Sequence, residues 1–570
     1  MTIELTSSFL YVFNPARLFG PIFDKELRVS SRRRRNYVLR CAYIAVLCIF
    51  ILSAWYSILG ARKSNPAVYQ VSRFSQIGRT VIASIVWFQF VVAQLIAVIM
   101  LSSSISDEIR AGTLAVLMTT PIRSAQIVTG KLLSKLLQIT QLLAISLPLL
   151  AIVRVFGGVT WTYVVSGICV TLTAAVFAGA LSLLLSTLYR QGHIVILVTV
   201  MAYMVVFGVL SGLFNLLAVN GIFIFNRNTT QSILALTNPF WAFAAINAKY
   251  LFQSGIPVSF SWPLHCLLML ALTTVVLGLS IRRIRKAALG EAFDQGRKRW
   301  FKRDAKRNIR TYSGSMRLDL VKPVIGPPIV WKEMYKGIIG RRKGDIGLSA
   351  LLIGAFLLLF VFIWLAGRGS VGMMAFPSLI LSGLYLVVMI RLAVFSAGSL
   401  TMEKEARTWP ILLTTPLTDG EIARGKAVAA FRRNMLLILI YFGLLCLNYI
   451  VLRKLGGNDN WLLHTLCSLV VSACSIAGTV LFVIGSGLYF GVRLRTTTMA
   501  VAATAGLYLG VTYLLCGLFN PARFIILRSI SSHNLPWVIY AMPITLAIVE
   551  AGIGGVFARR AVRQLRRHIF

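Results

Sequence analysis

A chain of 570 residues that is 57% hydrophobic and 13% charged, with a mean hydropathy of +0.79, has too few polar side chains to cover a soluble globule of its size. It reads as a polytopic, all-α membrane protein. The formal net charge of +41 would suggest nucleic acid in a soluble protein. Here the basic runs lack interleaved aromatics beyond Trp300 and Phe301, which leaves nucleic acid unsupported and makes anionic lipid headgroups the cheaper partner.

Apolar runs of about 20 residues predict six spans per half. No cleavable signal is expected, because the first such run begins near Val38, after the Arg32 to Arg35 cluster. The first half gives 38–59, 81–104, 132–156, 162–188, 194–219 and 263–281; the second gives 346–366, 374–399, 433–455, 461–490, 498–518 and 537–557. Before each first span lies a mixed segment, 16–35 and 327–343, that suits an amphipathic elbow in the inner interface. Between fifth and sixth spans, 221–263 and 519–536 each hold an Asn-Pro pair, Asn238-Pro239 and Asn520-Pro521, and predict short outer-facing or re-entrant helices. These boundaries give a first six-span domain over 1–285, a basic linker over 286–325, helical as far as Lys306, and a second six-span domain over 326–570. Of 58 Lys and Arg residues, 45 then fall on one face and 12 on the other, with Arg391 inside a span. The bias puts both termini and the linker in the cytoplasm.

One polar segment occurs twice. Residues 107–131 and 402–426 align without a gap at an offset of 295, with ten identities. A second anchor, Lys25-Glu26 with Lys332-Glu333, aligns at an offset of 307. The chain is therefore a duplication, and an even number of spans per half makes it a parallel repeat. In each copy an acid at the mouth of span two (Glu108, Glu403) is followed by a Thr five residues on, an apolar turn and a Thr-Thr-Pro break. The helix restarts through a capping box at Thr418 and Glu421 in the second copy and an N-cap at Ser124 in the first. The result is a short rod across the cytosolic mouth. Its retained Leu117/Leu412 and Ile127/Ile422 are expected to seek lipid or a partner.

These residues resemble the membrane permeases of ATP-binding cassette (ABC) exporters of the type-two class. That family carries a Lys-Glu elbow, a Glu-x-Glu-x-Gly-Thr segment, a Thr-Pro break and a Gly-Lys before span three. Glu108, Gly112, Thr113, Thr120, Pro121, Gly130 and Lys131 match in the first copy, with Arg110 in place of the second acid. Glu403, Glu405, Thr408, Thr415, Pro416, Gly425 and Lys426 match in the second, with Arg407 in place of the glycine. Lys25, Glu26, Lys332 and Glu333 match the elbows. The resemblance implies that each rod is a coupling helix docking on a nucleotide-binding subunit, two copies per chain. It further implies that ATP and magnesium sit on that partner, and that the chain is a multi-pass exporter component in the plasma (inner) membrane.

The chain itself shows no catalytic motif. Residues 420–427 match GxxxxGK but end in Ala427, without the hydroxyl that magnesium needs, and follow a proline turn. The eight cysteines lie in apolar spans without ligand spacing and read as small buried hydrophobes; the five histidines are scattered, as loop or interface residues. Gly208 to Gly212 and Gly485 to Gly487 suggest close helix packing. Two intramembrane charges, Arg391 and Glu550, leave two readings open: they pair inside the bundle, or Arg391 snorkels to the inner headgroups. A secondary transporter also uses parallel repeats, but one intramembrane acid is a poor supply for ion coupling. A non-transporting scaffold or sensor is the third class. An apolar or amphipathic cargo fits spans without a charged path.

Overall fold

A computed structural model describes residues 21–31, 34–61, 67–120, 122–189, 191–219, 227–251, 260–308, 326–335, 354, 375–455, 461–512 and 536–565. Among the described residues every regular element is helical. An elbow helix α1 (Pro21–Ser31) precedes α2 (Arg34–Ala61) and α3 (Ala67–Ser102). Two short helices follow, α4 (Ser106–Ala111) and α5 (Leu114–Thr119), and then the long α6 (Ser124–Gly157) and α7 (Trp161–Ser186). The fifth predicted span is α8 (Gly192–Met204), a π-helical stretch over Val205–Leu210, and α9 (Ser211–Val219). After α10 (Arg227–Thr237) and α11 (Pro239–Ile246), α12 (Trp262–Asn308) runs unbroken from the sixth span into the basic linker.

The second half repeats the order. Elbow α13 (Pro328–Tyr335) is followed by α14 (Ala375–Glu405), the short α15 (Trp409–Leu413), α16 (Asp419–Leu455), α17 (Trp461–Arg493), α18 (Thr497–Thr512) and α19 (Pro536–Gln564). Eight helical stretches among the described residues are long and apolar enough to cross a membrane. Helices α2, α18 and α19 coincide with three more of the predicted spans, whereas 346–366, apart from residue 354, and Asn520-Pro521 lie outside the described residues. The protein is an all-α, multi-pass membrane protein.

Local chemistry explains the breaks. Asn238 accepts the N–H of Phe240 at 2.9 Å and donates to the Phe207 carbonyl and the Ser211 hydroxyl, which fixes the start of α11 against the π-helical stretch. Gly208 has open space where a side chain would go, so the expectation of close packing there fails. At Gly485 it holds. A Cβ on Gly485 would collide with the Gly554 backbone, one on Gly478 would meet the Ala547 carbonyl at 2.5 Å, and one on Gly487 would strike Ser396. Helix α17 is thus held against α19 and α14 by backbone proximity, with the Ser396 hydroxyl donating to the Val483 carbonyl at 3.2 Å.

Outward apolar side chains such as Leu267, Val275, Leu436, Leu466 and Ile548 form the surface that lipid would cover. The cysteines depart from expectation, because none of the seven described ones is buried and Cys41 is exposed; a thiol against lipid costs as little as one in a core. Among the histidines, His193 and His265 are buried, the latter with its Nδ1 2.7 Å from the Leu236 carbonyl oxygen.

The glycine contacts give a direct check. Gly485→Val should destabilise the detergent-solubilised protein by about 1–3 kcal/mol through overpacking, read as a lower melting temperature. Gly552→Ala, with open space around it inside a helix, should not lower the melting temperature.

Candidate functional site

The duplicated segment folds twice into the same device. In the second copy the Lys426 ammonium, fully buried at the start of α16, donates to the Ser399 carbonyl at 2.7 Å, to Glu403 Oε1 at 3.0 Å and to Glu333 Oε1 at 2.8 Å. Lys332 adds a second cation on Glu403 at 3.0 Å. Four alternating charges from elbow α13, the end of α14 and the start of α16 therefore form one chain of ion pairs, Lys332–Glu403–Lys426–Glu333. An uncompensated charge there would be costly, so each member fixes the others. In the first copy Lys131 donates to the Ser104 carbonyl and, at 2.6 Å, to Glu108.

The elbow attachment differs between the copies. Glu26 pairs at 2.8 Å with Lys135, one helical turn beyond Lys131, while Lys25 is exposed. The position equivalent to Lys135 is Ala430, which is why Glu333 turns back to Lys426. Ser104 and Ser399 are themselves identical at the repeat offset, just outside the segment first aligned. In both copies a lysine ammonium meets a carbonyl at the negative end of span two.

The handle follows. The N–H of Thr113 donates to the Glu108 carbonyl at 3.0 Å and that of Thr408 to Glu403 at 3.0 Å, each closing a helix end. The turn demands a left-handed residue: Gly112 has φ +75° and Arg407, its equivalent, φ +57°. The departure at Arg407 thus keeps the backbone of a glycine at the cost of strain. Thr120 and Thr415 then donate their hydroxyls to the Leu117 and Leu412 carbonyls, at 2.5 and 2.6 Å, and end α5 and α15. Pro416 is exposed at the break, and Pro121 lies outside the described residues.

The restart of the second copy is the expected capping box. The Thr418 N–H donates to Glu421 at 2.8 Å and the Glu421 N–H donates to the Thr418 hydroxyl at 3.3 Å. In the first copy Ser124 is not the cap. Arg123 holds that position, and its N–H donates to Gln126 at 3.1 Å, because Gln126 stands where Glu421 does.

The expectation for the apolar residues is corrected. Ile127 and Ile422 are wholly buried, Leu412 is buried, and Leu117 packs on the chain's own core. In the first copy that core joins Ile22 of the elbow, Leu114 and Ile127 with Ile284 and Ala288 of α12. In the second it joins Ile329, Trp409 and Ile422 with Ala561 of α19 and with Leu565, which follows it. Gly425 is small because Ile329 lies 2.9 Å from where its Cβ would be; Gly130 is likewise buried. The residues left outside are Val116, 65% exposed, and Ile411, 67% exposed, one on each handle at equivalent positions. Sequence reading missed them because Leu and Ile identities drew attention to the buried face.

In the 420–427 segment the Lys426 ammonium is held by Glu403 and Glu333, inside a helix that begins at Asp419. The intramembrane charges are placed separately from the handles. Glu550 accepts from Thr479 at 2.9 Å, while the Arg391 guanidinium lies 5.6 Å from the Phe395 ring centroid. Among the described residues, no three His, Cys, Asp or Glu side chains come together in a way that could hold a metal ion.

Residues 21–289 match the family model described as ABC-2 family transporter protein. The match runs from elbow α1 through the first handle and into α12, and the second half lies outside it. No curated protein matches the chain.

The ion pairs predict unequal costs. Lys426→Met should destabilise by about 3–5 kcal/mol, because it removes the buried cation that Glu403 and Glu333 share. Lys131→Met should cost less, as Glu108 is 28% exposed. Arg407→Gly should raise stability by about 1 kcal/mol by relieving the left-handed residue. Thermal unfolding of the three variants in one detergent checks the order.

Proposed function

We propose that an ABC-2 transporter membrane component, seen in the first half and echoed in the second, works here as a complete permease. Two nucleotide-binding ATPase subunits dock beneath it, one on each handle. The observation that carries this reading is the pair Val116 and Ile411: two large aliphatic side chains exposed at the same place on helices whose other large apolar side chains are buried or half-buried. A surface residue of this kind on a rigid, ion-anchored rod suits an anchor for a pocket on a partner. The partner binds and hydrolyses ATP with magnesium, and this chain contributes no catalytic group.

Closure of the ATPase subunits on ATP would push α5 and α15 together. The push travels to the elbows through Glu26–Lys135 and Glu333–Lys426, and into spans two and three through Glu108–Lys131 and Glu403–Lys426. Export from the cytoplasmic side of the plasma (inner) membrane is the direction we assign, with an apolar or amphipathic cargo. The basic linker and termini rest against anionic headgroups.

Affinity purification of the intact chain from its own membranes tests this. The expected result is an ATP-hydrolysing subunit retained at two copies per chain, and its loss from a Val116→Asp/Ile411→Asp double variant that still elutes as a monodisperse protein. Each lost anchor should weaken docking by about 1–3 kcal/mol. A double variant that keeps its ATPase at the original stoichiometry overturns the reading.

A further inference from the structure

Arg110 and Glu405 occupy the same position in the two copies, 295 residues apart, and they touch: Nη1 of Arg110 donates to Oε2 of Glu405 at 2.5 Å. Equivalent positions can meet only beside the axis that relates the copies. The contact therefore marks that axis, at the face the charge bias assigns to the cytoplasm. Two identical charged residues there would repel, whereas this chain sets opposite charges against each other. Both partners are braced. Asp107 lies 3.3 Å from Arg110 Nη2, and the other oxygen of Glu405 accepts the N–H of Thr497, the first residue of α18, at 2.8 Å.

Directly inward the two halves close. A Cβ on Gly192, at the head of α8, would lie 2.6 Å from Thr498 and 3.3 Å from Ser103. Deeper still, Val98, Ile196, Ile390, Val394, Ala397, Ala500 and Val501 form one buried apolar cluster drawn from both halves.

We propose that Arg110–Glu405 is an ionic latch that holds the cytosolic mouth between the halves shut. Each partner stands two residues before the left-handed turn of its handle, Gly112 or Arg407, so displacement of a handle acts on the latch without an intermediary. With side chains 44% and 20% exposed, the pair is open to solvent and screened by salt. That suits a contact which must part and re-form in every cycle. What moves the handles rests on the proposed function; the closure of the mouth does not.

The test uses the full chain with its eight native cysteines replaced and a single Ala500→Cys reporter, one helical turn behind Thr497 and wholly buried. Inside-out vesicles are treated with a membrane-impermeant maleimide. With the latch intact, labelling is slow, and raising salt from about 0.05 to about 0.5 M speeds it. Arg110→Glu should label at least about fivefold faster, and Arg110→Glu/Glu405→Arg should return to the slow rate. Labelling of Arg110→Glu at the parental rate, or a double variant as fast as the single, overturns the latch. Should Arg110→Glu fail to fold, Arg110→Gln and the salt series on the intact pair give the same two readings. No ATPase is present in the assay, so failure here leaves the docking reading standing, and failure of docking leaves the latch standing.

Discussion

A buried ammonium group is the constraint around which each handle is arranged. Lys426 cannot sit in the interior without negative partners, and the partners available are a carbonyl at the end of span two, the acid that closes that span, and the acid of the elbow. Three segments distant in sequence are thereby brought to one point. The short rod of that half and its exposed isoleucine take their position from that point. Lys131 does the same in the first half with fewer partners, and Lys135 completes the attachment to the elbow.

The copies have diverged where divergence is useful. Their buried faces remain alike, with Ile127 and Ile422 in matching cores and the same threonines closing the same turns. Their charges differ, with arginine facing glutamate across the axis and a chain of four linked charges on one side against two separate pairs on the other. Fusion of two copies in one chain permits this. Positions that a symmetric pair must keep identical are free to become complementary.

Sequence patterning made much of this visible. Spans declare themselves by apolar length, and helices were found at most of those predicted because a helix is the cheapest way to satisfy backbone groups in lipid. The repeat exposed Glu108, Lys131, Glu403 and Lys426 as a set, and the Thr418–Glu421 cap was legible from spacing alone. Three-dimensional outcomes were not. Whether Leu412 points in or out depends on a rotation of a five-residue helix that no periodicity can fix over so short a length. The Arg123 cap was missed because Ser124 has the better intrinsic propensity and Gln126 overrode it. Arg110 and Glu405 were each noted as a departure or a match; that opposite signs at equal positions imply contact requires knowing that the axis passes there.

The ends of the two second spans differ in stiffness. Helix α14 continues without interruption to Glu405, whereas α3 stops at Ser102 and passes through a turn before α4. Serine hydroxyls at 102, 104 and 106 donate to carbonyls three or four residues back, competing for acceptors the helix would use. A force applied at α15 therefore enters a straight rod, while the same force at α5 is first spent bending a joint. Two nominally equal strokes would arrive as a prompt one and a cushioned one, giving the machine an order of events that its near-symmetry alone would not supply.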